Sequence, residues 1–565
     1  MNNKHSWLWG WALINITQMI STGATALALE VSAGARGIDA RKIQAPPYNL
    51  TGKNVFIGQV ELSRPSRFAV DKLTNKLIQI DRAIVQPYEV FFRDRQPIPN
   101  RNIDDHSAQV AAVIISNHKI QRGIAPNAKL LSSAYSQRRQ DGQPEACLAA
   151  QHIARQYNST VRAINFSFGE LLKEDPRPKP QLDGDALLTL CLDWLATKHN
   201  TLPIVAGNQG KGGIPIPTDL YNGLTVGFTH EVNGIYRQLD RGNLIDEPYI
   251  DRNTNGKYDT GEYFTDLNQD GKWTSAVESP VNGRRSLSIL APGNNLQLPT
   301  LQGKFKIVNG SSFAAPHVVG TIALLHEYAD RQITNGKWQN YAHWHELLKA
   351  VLINSADKIQ DRGDGQNLGM TKTIIDTQGK NWLDSEAYSD PNIPLSLTLG
   401  AGQVNAYRAL QQYQAGQQNP ISPNRKSAQI RAIGWDVNTI NVNTTQDYIF
   451  ANELLASSYI TATLAWDRQV KLNDQNKNGM YDIGESFSSK GFAKLELYLM
   501  RSQDQDTSAS VWSSTSQVDN LQHIFIPIPK TGKYKLRIIM RSPQDNSEEL
   551  LLPQTYALAW WGKSQ

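Results

Sequence analysis

The sequence predicts an α/β domain, a mostly parallel sheet sandwiched by helices, followed by a smaller antiparallel β-domain. Three observations carry this expectation. From residue 52 to about 410, short apolar runs alternate with stretches whose apolar residues recur at helical spacing, the pattern of strand–helix–strand units. A polar segment with two prolines, "QQYQAGQQNPISPNRKSAQ" (411–429), then interrupts the chain as a linker would. Beyond it, residues 430–565 carry period-two runs with no helical stretch between them, as in a β-sandwich or jelly roll.

The strand candidates of the first domain are "NVFIGQV", "AKLLSSAY", "VRAINFSFG", "LPIVAGN", "GLTVGFT" and "LSILAPG". Between them, "SAQVAAVIISN", "EACLAAQHIARQY" and "ALLTLCLDWLATKH" place apolar residues at helical spacing. In the second domain "ITATLAW", "AKLELYLM", "YKLRIIM" and "YALAWW" read as strands. Parallel strands present functional groups just beyond their carboxyl ends, so the ends of the first set are where chemistry is expected.

Composition narrows the function classes. The 565 residues are 40% hydrophobic and 19% charged, which suits a globular chain and excludes a disordered one. A net charge of +5 spread over scattered Lys and Arg gives no nucleic-acid footprint. Cys147 and Cys191 are too few for a disulfide-dense scaffold. They fall in helices flanking one strand, where a bridge is conceivable and buried free thiols are favoured. At the N-terminus Lys4, "WLWGWALINI" and "ATALALE" resemble an export signal over residues 1–28, with a cut after Ala28 and a secreted or periplasmic product. The alternative is a loose N-terminal arm. Residues 29–51 form a short arm before the first strand, too few for a packed pro-segment, so folding without one is expected. No later apolar run approaches the 18 or so residues of a membrane span. A monomer is expected.

The strongest local signal is "NGSSFAAPHVVG" (309–320). Gly310 permits a tight turn, and Ser312 follows at the first turn of an apolar helix, where free N–H groups favour an anion. Pro316 is expected to sit where N–H groups lack intrahelical partners. A Ser-rich cap on a buried helix would look similar, but companions exist. "DDHSAQVAAVI" sets His106 before a helix, "IVAGNQG" ends a strand on Asn208, and "AINFSFG" ends another on Ser167, Phe168 and Gly169.

These segments resemble the subtilisin-type serine peptidases. "GSSFAAPHVVG" is similar to that family's serine motif and "HSAQVAAVI" to its histidine motif. "IVAGN" is similar to the oxyanion segment and "INFSFG" to the cleft strand; "GIAPNAKL", "LAPG" and "GAGQVNAYRAL" also match. The resemblance implies a subtilisin-like fold over residues 52–410, with Ser312 as nucleophile, His106 as general base and Asn208 as oxyanion donor. Ser167, Phe168 and Gly169 would then bind substrate. It also implies a serine endopeptidase acting on proteins or peptides through an acyl-enzyme.

Departures from the family pattern are equally plain. Ser107, Ala108 and Gln109 replace Gly-Thr-His after the base, and Phe313 replaces Met after the serine. The triad Asp falls on Glu61, followed by Leu62 and Ser63. Asp104 and Asp105, just upstream of His106, are rival acids. A catalytically weak, binding-only relative is the alternative function. An α/β-hydrolase esterase fits poorly, because Ala314 stands where G-x-S-x-G needs Gly and the base precedes Ser312.

Three stretches repeat the ligand pattern of a calcium loop, oxygens at positions 1, 3, 5, 7, 9 and 12 with Gly at 6. In residues 251–262 these are Asp251, Asn253, Asn255, the Lys257 carbonyl, Asp259 and Glu262. In residues 474–485 they are Asp474, Asn476, Asn478, the Met480 carbonyl, Asp482 and Glu485. A weaker loop has Asp266, Asn268 and Asp270, but Val277 holds its twelfth position and Glu278 comes one residue late. Two or three structural Ca2+ ions are expected. The first two loops lie in an excursion over residues 232–284, between Asn208 and Ser312.

Overall fold

A computed structural model describes residues 28–71, 84–136, 142–178, 180–207, 215–239, 244–245, 247–265, 272–273, 277–278, 283–420, 429–542 and 548–565. Residues 1–27 of the expected export signal, the ligands Asp266, Asn268 and Asp270 of the second calcium loop, Asn208 and residues 421–428 of the expected linker lie outside the described residues.

All six expected strands of the first domain form, joined by three shorter ones. They are β1 (Phe56–Glu61), β2 (Glu89–Phe92), β3 (Lys129–Ala134), β4 (Val161–Phe166), β5 (Leu202–Ala206), β6 (Leu224–Val232), β7 (Ile235–Gln238), β8 (Leu287–Pro292) and β9 (Ile374–Ile375). The sheet is nine-stranded, ordered β9-β7-β6-β5-β4-β1-β3-β2, with β8 also paired to β6. Every neighbouring pair is parallel except β6–β7. The excursion expected from residue 232 therefore begins inside the sheet, since β7 extends it.

Helices cover both faces. They are α1 (Leu29–Ala33), α2 (Ala40–Gln44), α3 (Asp105–Ile115), α4 (Gln143–Ser159), α5 (Leu187–His199), α6 (Ser311–Thr334), α7 (His345–Asn354) and α8 (Ala406–Gln414). On one face α3, α6, α7 and α8 pack on Ile57, Leu130, Ala163 and Ile204. On the other, α4 and α5 pack on Val60, Leu131, Ile164 and Val205.

Successive strand side chains point to opposite faces, so Ile57, Gln59 and Glu61 share the α3 face while Gly58 and Val60 face α4. Gly58 has no room for a side chain: a Cβ there would lie 2.5 Å from Ile153 Cγ2 and 2.9 Å from Ile164 Cγ1. The break in the apolar run is thus a close approach of α4, and it preserves the register that faces Glu61 toward α3.

Residues 29–51 pack into the domain. Leu29, Ala33, Ile38, Ile43 and Leu50 are buried in the same core as α6. Ser32 Oγ lies 2.9 Å from His317 Nε2, and Leu29 N–H donates to Gln121 Oε1 at 2.6 Å. The arm thus packs immediately after the expected cut at Ala28.

Cys147 and Cys191 are joined, against the expectation of free thiols. Helices α4 and α5 lie side by side on one face, and the two Cα atoms are 5.9 Å apart, within disulfide reach. Periodicity places each helix on the sheet but says nothing about the spacing between them.

The C-terminal region is a sandwich of two four-stranded antiparallel sheets. Its strands are β10 (Ile433–Ile440), β11 (Thr445–Ile449), β12 (Tyr459–Trp466), β13 (Lys494–Arg501), β14 (Trp512–Ser514), β15 (Leu521–Pro527), β16 (Tyr534–Arg541) and β17 (Gln554–Gly562). The sheets are ordered β10-β17-β12-β15 and β11-β16-β13-β14. The sandwich is docked on the first domain. Buried Arg468 pairs with Asp193 of α5, its Nε 2.9 Å from Oδ2. Trp435 Nε1 donates to the Tyr413 carbonyl at 2.7 Å. The expected linker accordingly starts inside α8, where Gln412 and Tyr413 are buried. No helix among the described residues is long and apolar enough to cross a membrane.

Candidate active site

Three carboxyl-end segments of the sheet, following β1, β4 and β5, meet the starts of α3 and α6. Glu61 is the last residue of β1, and its side chain is almost fully buried. His106 is the second residue of α3, with its side chain about a third exposed, so one edge of the ring is reachable from the crevice. His106 Nδ1 lies 3.4 Å from Glu61 Oε2. That is ion-pair contact, looser than a well-formed hydrogen bond, and such contacts commonly tighten only when substrate binds.

Both rival carboxylates are engaged elsewhere. Asp104 Oδ1 caps α3, accepting from Ser107 N–H at 2.7 Å. Asp105 Oδ1 accepts from Leu301 N–H at 2.7 Å. Each of these bonds uses one oxygen of its Asp, and of the three carboxylates it is Glu61 that lies in ion-pair contact with the imidazole.

A residue missed in the sequence holds this arrangement. Gln59, fully buried two positions before Glu61 and on the same face, donates from Nε2 to the Ser107 carbonyl at 3.0 Å. It ties β1 to the first turn of α3, where His106 sits. The signal was present: Gln59 is the polar interruption of an apolar strand, in phase with Glu61.

The serine loop is built with similar economy. Gly310 caps α6 at φ 141, a conformation that L side chains rarely adopt. Ser311 Oγ donates to the Gly207 carbonyl at 2.7 Å, fixing the helix start to the end of β5, next to the position of Asn208. Ser312 and Ser167 bond reciprocally. Ser312 Oγ donates to the Ser167 carbonyl at 3.2 Å, and Ser167 Oγ donates to the Ser312 carbonyl at 2.7 Å. Asn165 Nδ2 in turn donates to Ser167 Oγ at 2.7 Å.

Pro316 corrects the expectation that it occupies an unpartnered first-turn position. Because α6 begins at Ser311, Pro316 lies in the second turn, and a residue with an N–H there would bond the Ser312 carbonyl. The missing N–H leaves that carbonyl open, and Ser167 Oγ takes it. The proline thereby helps join the end of β4 to the start of α6. Phe313, the departure after the serine, packs against the His106 ring with centroids 5.4 Å apart.

Electrostatics follow from burial and proximity. Burial pushes the Glu61 carboxyl above its usual range, with the His106 charge pulling it back. Burial works against charge on His106 too, but the Glu61 carboxylate, with Asp104 behind it, overrides that effect and holds the imidazole above its ordinary 6.5. Glu61 and His106 are thus in contact, Ser312 and Ser167 are bonded to each other, and Phe313, next to Ser312, packs on the His106 ring, while Asn208 lies outside the described residues.

The sequence comparisons fit this geometry. The Subtilase family model, Peptidase_S8, matches residues 88–371, half of the chain. The chain belongs to the subtilase family. The matched span holds His106 and Ser312 but begins after Glu61, so the acid rests on the geometry above. Tripeptidyl-peptidase 2 of Drosophila melanogaster is 22% identical over 266 residues, 45% of this chain and 16% of that protein. The solved structure of the prenylagaramide maturation protease PagA is 18% identical, with a TM-score of 0.39, over 66% of this chain and 97% of that one.

The two described calcium-loop candidates share one hydrogen-bond plan. Asp251 Oδ2 accepts from Gly256 N–H at 2.7 Å, as Asp474 Oδ2 does from Gly479 N–H. Asn255 and Asn478 each donate from Nδ2, at 2.7 Å, to Asp259 Oδ2 and Asp482 Oδ2. Glu262 accepts from Arg252 and Asp259 N–H groups, and Glu485 from those of Gln475 and Asp482. Gly256 and Gly479, both at φ 76, make the turn required at position 6. The donor set and turn fit a calcium ion. The second of these loops is tied to α4, because Gln151 bonds both the N–H and the carbonyl of Tyr481.

One pH prediction follows. A general base must be neutral to accept a proton, so raising its pKa moves the onset of activity upward. The acid limb of kcat/KM is predicted to have its midpoint above pH 6.5, read from initial rates on a peptide substrate. A midpoint below 6.5 would contradict the Glu61–His106 pairing.

Proposed function

We propose that this subtilase is an exported endopeptidase that cleaves internal peptide bonds through an acyl-enzyme and is stabilised by calcium. The observation carrying the catalytic part is the contact of His106 with the buried Glu61 carboxylate, together with the packing of Phe313, the residue after Ser312, on the His106 ring. His106 takes the Ser312 Oγ proton as that oxygen attacks the scissile carbonyl, and later delivers it to the leaving amine. Glu61 orients the imidazole and stabilises its charged form. The Ser312 N–H at the start of α6 and the Asn208 amide receive the oxyanion, each donor supplying roughly 3 kcal/mol of barrier lowering. Water then releases the acyl group with His106 again as base. Ser167, Phe168 and Gly169 line the cleft beside Ser312 and offer backbone to an extended peptide.

The Cys147–Cys191 bond supports export, since such bonds persist in oxidising compartments. Calcium would be held by Asp251, Asn253, Asn255, Asp259 and Glu262 with the Lys257 carbonyl. The equivalent set at the other loop is Asp474, Asn476, Asn478, Asp482 and Glu485 with the Met480 carbonyl. The loop at 266–278 remains a candidate on its sequence. A bound ion supplies charge compensation for each carboxylate set, and binding to the native state alone stabilises it.

A fluorophosphonate probe tests the activated serine. The native chain is predicted to label at Ser312 and to hydrolyse internal bonds of a peptide library, with Ser312→Ala losing both. An unlabelled native chain would indicate a binding protein built on a peptidase frame, and cleavage only near peptide termini would overturn the endopeptidase assignment. For calcium, excess EGTA is predicted to lower Tm, each loop contributing about 2.7 kcal/mol when calcium is at a hundredfold excess over Kd. An unchanged melt would reject structural calcium.

A further inference from the structure

A cavity of about 660 Å3 lies where the β-sandwich meets the peptidase domain, away from the catalytic crevice. Its wall carries His345 and Glu346 from the start of α7 and Asp467, the residue after β12. All three residues are buried, and one ligand atom from each lies within 4.8 Å of the others.

The surroundings resemble a prepared ligand set more than a chance contact. His345 Nε2 lies 3.1 Å from Asp467 Oδ1 and 3.0 Å from Oδ2. His345 Nδ1 lies 3.1 Å from Asn200 Oδ1 and 3.3 Å from Glu346 Oε2. The Asn200 oxygen also accepts the His345 backbone N–H at 2.9 Å, so it fixes both the residue and the ring. An outer oxygen on one ring nitrogen is the usual support for a metal-binding histidine. With Asn200 on Nδ1 it is Nε2, on the Asp467 side, that would coordinate, and the Glu346 carboxylate would turn from the Nδ1 side to join it. Lys349, the next basic residue along α7, directs its Nζ to the Tyr221 carbonyl. Both ring nitrogens face oxygens, so without an ion the imidazole carries both protons; a divalent cation would replace one of them and leave one ring nitrogen and two carboxylates as its ligands.

We propose that His345, Glu346 and Asp467 bind one divalent transition-metal ion of the zinc class, which fastens the β-sandwich to the peptidase domain. One nitrogen and two carboxylate oxygens suit Zn2+, Co2+ or Mn2+, whereas Ca2+ needs six to eight oxygens. A tetrahedral ion with bonds of about 2.0 Å holds its ligands about 3.3 Å apart, so small side-chain rotations close the set. The fourth position faces the cavity, which can supply water.

The test uses the full chain, stripped with chelator and then held in millimolar calcium so that the calcium-loop candidates are filled. Zn2+ is titrated calorimetrically, and Co2+ is followed by its visible spectrum. One equivalent of Zn2+ is expected, with a rise in Tm and the intense Co2+ bands of a four-coordinate site. Loss of a direct ligand in His345→Gln or Asp467→Asn is expected to weaken binding by about 100-fold, the upper end of what outer-shell partners cost. Far-UV circular dichroism verifies that each variant is folded, and Glu346→Gln supplies a further ligand-deleted chain of unchanged shape. Absence of a zinc-binding event, or binding that none of the three substitutions weakens, would overturn the proposal.

Discussion

The active-site geometry depends on one buried carboxylate at the end of one strand. Glu61 is nearly inaccessible to water, and a carboxylate so placed is costly unless a partner answers its charge. His106 is that partner, and the constraint runs both ways: the imidazole gains orientation and charge stabilisation, while the carboxylate gains a counter-charge. The contact requires that β1 present its sixth residue to α3, which strand parity determines. Gly58, closed off by Ile153 and Ile164, fixes how near α4 approaches from the other side. Gln59 fastens the same strand to the Ser107 carbonyl. A one-residue slip would point Glu61 at α4 and leave His106 facing an apolar strand.

Ser312, the proposed nucleophile, is held by a second device that adjoins the first at Ser167, whose backbone also favours the charged Glu61 carboxylate. Pro316 withholds an N–H from the Ser312 carbonyl, Ser167 Oγ supplies the missing donor, and Ser312 Oγ returns a bond to the Ser167 carbonyl. Strand β4 and helix α6 are thereby joined at the residues that must act together on a substrate. Phe313 then packs on the His106 ring, so the two devices meet through an aromatic contact as well as through chemistry.

Much of this was legible in the sequence, for reasons that also explain the gaps. Long apolar runs and helical periodicity gave β1, β3, β4, β5, β6 and β8 with their helices, because burial on both faces leaves a strong pattern. The strands β2, β7 and β9 escaped notice because they are short and, in β7, partly exposed. Glu61 was placed by its position at a strand end, while Gln59 was overlooked although it shares that phase. The pairing of Cys147 with Cys191 depends on the distance between two helices, which periodicity does not encode. Pro316 was misplaced for want of the α6 start, and its use by Ser167 arises only when two distant segments meet. The burial of residues 29–51 was likewise invisible, because five scattered apolar residues do not announce the core they join.

The central claim is that Glu61, longer by a methylene than the family's aspartate, serves as the triad acid. The direct measurement is kcat for Glu61→Gln beside Asp104→Asn and Asp105→Asn, each confirmed folded, on one peptide substrate. The account predicts a fall on the order of 10⁴-fold for Glu61→Gln, with both aspartate variants within about tenfold of the native chain, since they lose a cap and a loop tie. Near-native turnover in Glu61→Gln, or a collapse confined to either aspartate variant, would contradict it.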